Sequence, residues 1–220
     1  METLYRRGKL QLCLFIVLIA TISAQAGNPI VDHIYTADPC AMTHGDSVYI
    51  YTGHDEASED ATFYNMDDWH VFSSGDMVNW KDHGEVLSIN DFSWAESNAW
   101  ASHTIERNGK FYWYVTVTPS SSGDFAIGVA VSDSPTGPFE DAIGGPLITD
   151  DMTPDLDVDI DPAVFIDDNG QAYLYWGNGG ICKAIKLKDN MTETEGEMID
   201  LDFPNFTEAA YLHERDGTYY

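Results

Sequence analysis

Asp38, Trp100, Asp161 and Glu208 open four copies of one sequence pattern, and they comprise three carboxylates and one large aromatic. The copies are DPCAMTHGDSVYIY from Asp38, WASHTIERNGKFYWY from Trp100, DPAVFIDDNGQAYLYW from Asp161 and EAAYLHERDGTYY from Glu208. In the last three, Gly109, Gly170 and Gly217 stand nine residues after the opening, and Tyr112, Tyr173 and Tyr220 follow three residues later. The first copy is looser, with Gly45 seven residues on and Tyr49 and Tyr51 behind it. Three acids converging on one pocket repel one another, which raises some of their pKa values and keeps one acid protonated near neutrality. A protonated acid facing an ionised one, beside an aromatic wall, is the equipment of glycoside hydrolysis. Taken singly, these acids read more blandly. Asp-Pro is a common turn pair, and Asp161 continues the alternation Asp155, Asp157, Asp159, as on the polar face of a strand. Only their matched positions across the repeat set them apart.

The elements that must position them are strands. Ser47–Tyr51, Phe111–Val115 and Ala172–Trp176 are short β-branched and aromatic runs bounded by Gly, Asn, Asp and Pro. Asn108-Gly109, Asn169-Gly170 and Asp216-Gly217 are two-residue hairpin signals. Stretches 71–80 (VFSSGDMVNW) and 129–139 (VAVSDSPTGPF) each follow a hairpin and end in a turn and an aromatic. A repeat of about 60 residues built of short strands marks the blades of a β-propeller, each a four-stranded sheet about a central channel. The innermost strand of each blade faces the axis, so the repeat-opening side chains crowd one central site. The fourth copy reaches Tyr220 without a closing strand. The fold expected is therefore all-β: the N-terminal portion of a propeller, about three and a half blades, filling residues 27–220 as a C-terminally truncated domain.

Ahead of it, residues 1–26 read as a secretory signal. Arg6, Arg7 and Lys9 precede an apolar run from Leu10 to Ile22, and Ala24-Gln25-Ala26 supplies the cleavage pattern. The run is shorter than the roughly 20 residues that span a bilayer. A secreted or periplasmic location follows, with no membrane attachment after cleavage. The whole chain of 220 residues carries 37 Asp plus Glu against 10 Lys plus Arg, a formal charge of −27. It lacks the clustered cations that phosphate binding draws on, which excludes nucleic acid. The charge also disfavours substrates rich in uronic acids. Without Cys13 two cysteines remain, Cys40 and Cys182, whose pairing spacing does not decide. The seven histidines show no close pair on one element, and an EF-hand starting at Asp155 fails because Ile160 and Ile166 hold its Gly and Glu positions. Neither metal nor cofactor is expected. Asn190-Met191-Thr192 and Asn205-Phe206-Thr207 fit the glycosylation sequon.

Six ordered stretches, 35–56, 73–84, 100–115, 128–139, 159–177 and 206–220, resemble glycoside hydrolase family 43, secreted five-bladed propellers acting on arabinofuranosyl and xylosyl linkages of plant polysaccharides. The resemblance implies that Asp38 is the general base, Asp161 the acid that tunes and orients its neighbour, and Glu208 the general acid. It also implies inversion, with base and acid roughly 6.5–9.5 Å apart to admit water. Two departures stand out: Ala209-Ala210 where the family usually has Gly-Pro, and Ser102-His103 where it often has Pro. Trp100, Trp94 and Trp176, the last at the axial end of its strand, are candidate platforms for a sugar ring, while Trp113 reads as packing between blades. The expected function is removal of α-L-arabinofuranosyl, or β-xylosyl, residues from a hemicellulose such as arabinoxylan. The competing expectation is a propeller that binds carbohydrate without hydrolysing it.

Overall fold

The computed structural model describes residues 28–156 and 158–220, so the expected signal at 1–26 lies outside the described residues. Sixteen strands carry the described chain, with two single 3-10 turns at Ile89–Asp91 and Asp150–Met152. The first sheet is an antiparallel meander in the order β1 (Tyr35–His44), β2 (Ser47–Asp55), β3 (Asp68–Ser74), β4 (Lys81–Ser88). The second begins with the short β5 (Ala95–Ser97). Its meander then follows as β6 (Ser102–Arg107), β7 (Lys110–Pro119), β8 (Ala126–Ser132) and β9 (Glu140–Asp141), and β10 (Ile148–Thr149) adds to β8. The third is β11 (Ala163–Ile166), β12 (Ala172–Trp176), β13 (Cys182–Leu187) and β14 (Thr194–Leu201). A final hairpin joins β15 (Glu214–Arg215) to β16 (Thr218–Tyr219). These are three propeller blades followed by a hairpin, in the chain positions that the repeat marks.

The blades stack through alternate side chains. On β7, Phe111, Trp113, Val115 and Val117 join Tyr51, Trp69, Val71 and Leu87 of the first blade in one cluster. The intervening Tyr112 and Tyr114 join Val164, Leu174, Trp176 and Ile185 of the third blade in another. Successive side chains of a strand point to opposite faces, and both faces of β7 are covered. That is why Phe111–Val115 runs apolar without a polar alternate, and the strand's polar residues, Thr116 and Thr118, come only after it. A third cluster, Ala163, Tyr175, Cys182 and Ala184, packs with Phe206, Ala210 and Leu212 of the fourth unit.

The turns refine the expectation in one place. Asn108-Gly109 and Asp216-Gly217 both have positive φ at each residue, the type I′ geometry that suits two-residue hairpins. At Asn169-Gly170 only the glycine is positive. There β11 and β12 pair Ile166 with Ala172, so the connection is Asp167–Gln171, closed by the Gly170 N–H on the Asp167 carbonyl at 2.7 Å. Asn169 spends its side chain on the Gln171 N–H instead. Cys40 and Cys182 are both buried and free, each in a different core cluster.

Candidate active site

Asp38 leaves the ladder of its own strand. Between Ala37, opposite Gly53, and Cys40, opposite Tyr51, β1 carries two residues against one on β2. This is a β-bulge, and its extra pair is Asp38-Pro39 with Asp38 at φ 50°. Pro39 has no N–H to lose from the ladder, so the bulge is cheap there. Asp161 repeats the device at the third blade: φ 60°, followed by Pro162, immediately ahead of β11. Its N–H donates to the buried hydroxyl of Thr116 on β7 at 3.1 Å. Glu208 enters from the fourth unit, where it forms an isolated bridge with Asn178 and accepts from the Asn178 side-chain amide at 2.6 Å.

These three carboxylates meet. Asp38 and Asp161 border a cavity of about 320 Å³, together with Ser102, His103, Ala209 and Tyr211, while Glu208 stands exposed beside it. Burial, and then the charge of Glu208, raise the Asp38 carboxyl above its ordinary value. Asp161 is pushed up to about 6 by burial, by Glu208 and by Asp38, against the Ala209 N–H, which stabilises its charged form. The mutual repulsion expected from sequence is present, and among the aspartates its stronger effect falls on Asp161. Carboxylates facing one open space, one of them with its pKa pushed up to about 6, can exchange protons with a bound molecule and a water.

The tryptophans divide. Trp100 lies half-buried against the first core cluster, with Phe125 at 4.5 Å and the exposed Phe63 and Tyr64 at 6.0 and 6.4 Å between ring centroids. The next residue, Ala101, lines the cavity, whereas Trp100 itself does not. Trp94 packs on Phe92 within the second blade and donates its indole N–H to Asp141 at 2.9 Å; it does not line the cavity. Trp176 is 0% exposed and donates to the buried Asp159 at 2.6 Å. It has no free face, so the expectation of a stacking role for Trp176 is corrected to packing. Asp159 itself is spent on Trp176 and on Thr153, and Asp155 on Lys183, which sets Asp161 apart from its acidic neighbours.

Three contributors went unread in the sequence: His103, Thr116 and Asn178. His103 is buried, and its Nδ1 accepts the Val164 N–H at 2.7 Å, which places the proton on Nε2. Burial pushes its pKa down to about 4, so it stays neutral and ties blade two to blade three at the cavity. Its signals in sequence were its place three residues after the Trp100 opening and the Ser102-His103 departure, neither of which gave it this role. No close pair of histidines lies on one element, as read from sequence, but the β2–β3 ladder brings ligand atoms of His54, Asp68 and His70, from two strands, within 4.8 Å of one another.

Comparison with known proteins agrees with the propeller fold. The sequence is 34% identical to an arabinoxylan arabinofuranohydrolase of Bacillus subtilis (strain 168), over 97% of this chain and 51% of that protein. It is 36% identical to a xylosidase/arabinosidase 43A of Humicola insolens, over 76% of this chain and 51% of that one. The chain thus spans about half the length of these curated relatives. Among solved structures, an α-L-arabinofuranosidase from Clostridium thermocellum superposes with a TM-score of 0.73 at 40% identity, covering 87% of this chain and 64% of that one. A β-xylosidase/α-arabinofuranosidase from a compost metagenome, in complex with xylotriose, gives 0.74 at 30% identity, over 86% and 70%. The model of glycosyl hydrolases family 43 matches residues 26–220, a span that contains every blade strand and the three carboxylates, and the chain belongs to that family.

Proposed function

We propose that the protein is an inverting, exo-acting glycoside hydrolase that removes α-L-arabinofuranosyl residues from arabinoxylan. The observation that carries this reading is the meeting of Asp38, Asp161 and Glu208, drawn from three different blades, close enough for their charges to act on one another. Asp38 takes the proton of an attacking water as general base. Glu208 donates a proton to the leaving glycosidic oxygen. Asp161 positions that acid, since its Oδ2 accepts the N–H of Ala209, the residue after Glu208. The wall of Trp100, Phe63 and Tyr64 offers apolar faces to sugar C–H groups. The names of the relatives support both arabinofuranosides and xylosides as substrates, and the arabinofuranoside is the reading preferred here. Export follows from the 1–26 leader, and an N-terminus at Gly27 in protein recovered from the medium or periplasm would support it.

The test compares the intact wild-type protein and Glu208→Gln on aryl α-L-arabinofuranoside and aryl β-D-xyloside, with the product anomer followed by NMR. Inverted product from wild type, and a rate lower by about 10²–10⁴ in the variant, support the assignment. Turnover of the xyloside alone would overturn the sugar. Binding of both sugars without turnover would replace the enzyme with a carbohydrate-binding propeller.

A further inference from the structure

The two middle strands of the first blade, β2 and β3, hold a second cluster of ionisable side chains, away from the carboxylate cavity. In the β2–β3 ladder His54 lies opposite Asp68, and Thr52 lies opposite His70. Cross-strand partners share a face, as do residues two apart on one strand, so His54, Asp68 and His70 project together. The blade's other face carries Tyr51, Trp69 and Val71 into the core. His54 Nδ1 stands 3.1 Å from Asp68 Oδ1, and His70 Nε2 stands 3.3 Å from the same oxygen. The three side chains are only 14%, 13% and 12% exposed.

We propose that His54, Asp68 and His70 bind a divalent transition metal of the zinc class, with water at the remaining position. Zinc takes His nitrogen and carboxylate oxygen in a tetrahedron with bonds of about 2.0–2.2 Å, and ligand atoms on such a tetrahedron stand roughly 3.3 Å apart. The observed 3.1 and 3.3 Å separations fit that shell. Two imidazoles disfavour calcium and magnesium, which take oxygen ligands.

A second observation points the same way. The other nitrogen of His70, Nδ1, is buried and has no hydrogen-bond partner, and the carboxylate nearest it is Asp82, with Oδ1 at 3.7 Å. Metal-bound histidines present their far N–H to a carboxylate, which fixes the ring and raises its basicity. Asp82 is in turn anchored through its Oδ2 to His33 Nε2 at 2.7 Å. Without a metal, one carboxylate serves two imidazoles at once. A metal would let both rings present lone pairs to it and turn His70 Nδ1–H toward Asp82. Bound there, the ion clips β2 to β3 across the 56–67 excursion, which carries Phe63 and Tyr64 to the wall beside Trp100.

The test uses untagged intact protein, stripped with a chelator and titrated at pH 7.5 with ZnCl2 by calorimetry and with CoCl2 by visible spectroscopy. The expected result is one zinc per chain and the d–d absorption of a four-coordinate cobalt site. His54→Gln and His70→Gln each abolish both signals, whereas Asp161→Asn keeps them. Asp82→Asn, which leaves the ligands in place, weakens affinity about 10–100-fold. Failure of wild type to bind overturns the proposal, and so does binding that persists in His54→Gln and His70→Gln. If those two variants do not fold, unchanged affinity in Asp82→Asn overturns it.

Discussion

The backbone N–H of Ala209 donates to Asp161 Oδ2 at 3.1 Å, which ties the residue after Glu208 to the carboxylate of the preceding blade. Ala209 makes this bond from the left-handed region, at φ 58°. An L-residue with a Cβ costs roughly 1–2 kcal/mol there, and glycine does not. The Ala-for-Gly departure therefore leaves the backbone in the glycine conformation and strains it.

Replacing Ala209 by Gly is expected to raise unfolding stability by about 0.5–1 kcal/mol, the relief of strain being offset in part by a freer unfolded chain. Ala209→Pro fixes φ near −65° and removes the N–H, so activity on an aryl arabinofuranoside should fall at least tenfold. Urea titration and steady-state kinetics check both. A Gly variant no more stable than wild type would show that the strain is absorbed elsewhere.

Asp161 makes stability depend on pH in a known direction. Its carboxyl titrates near 6 in the folded protein, against an ordinary 3.8. Between those values the folded chain holds a proton that the unfolded chain has released, so stability falls as pH rises through the window. The displacement corresponds to at most roughly 3 kcal/mol, and solvent access at this half-buried group reduces it to about 1–2 kcal/mol. Asp161→Asn, which keeps an acceptor for Ala209, should match wild type at pH 3.5 and exceed it by that amount at pH 7.5, while losing activity. Equal stability of the two proteins at pH 7.5 would remove the repulsion argument.

The residues that sequence located best are those whose role repeats. Asp38, Asp161 and Glu208 were found because each opens a blade, and Phe111–Val115 read as a strand because both its faces are buried. What escaped depends on contacts between residues far apart in the chain. His54 and His70 are sixteen residues apart and become neighbours only once β2 and β3 pair in one register. Trp176 borders the axial end in sequence, yet the third blade's packing seals it. Asn169-Gly170 carries a hairpin signal, but the register of β11 on β12 leaves five residues to connect.

Thr116 is the clearest case of a contributor without a local signal, lying 45 residues before Asp161, whose backbone N–H its hydroxyl accepts. Thr116→Val keeps the shape and removes the hydroxyl, leaving the Asp161 N–H without its acceptor. A buried donor left unsatisfied costs about 1–3 kcal/mol. The variant should lose stability in that range, and kcat should fall more than KM changes if the displaced Asp161, which accepts the N–H of the residue after Glu208, serves as the proposed positioning group. A change confined to KM would place Thr116 in substrate binding instead.

Trp100 and Trp176 should separate cleanly on substitution, because one is only half-buried and the other has no free surface. Trp176→Phe keeps a ring in the core but removes the N–H that reaches Asp159 at 2.6 Å. Burial already raises the Asp159 carboxyl, opposed by the hydrogen bonds from Thr153 and Trp176. Losing one donor to a buried acid is worth about 1.5–3 kcal/mol, so the unfolding midpoint should drop while KM stays at the wild-type value. Trp100→Ala removes the centre of the wall formed with Phe63, Tyr64 and Phe125, so KM should rise several-fold with a smaller change in stability. A KM effect in Trp176→Phe that survives correction for the folded fraction would mean that the third blade opens enough to expose its indole.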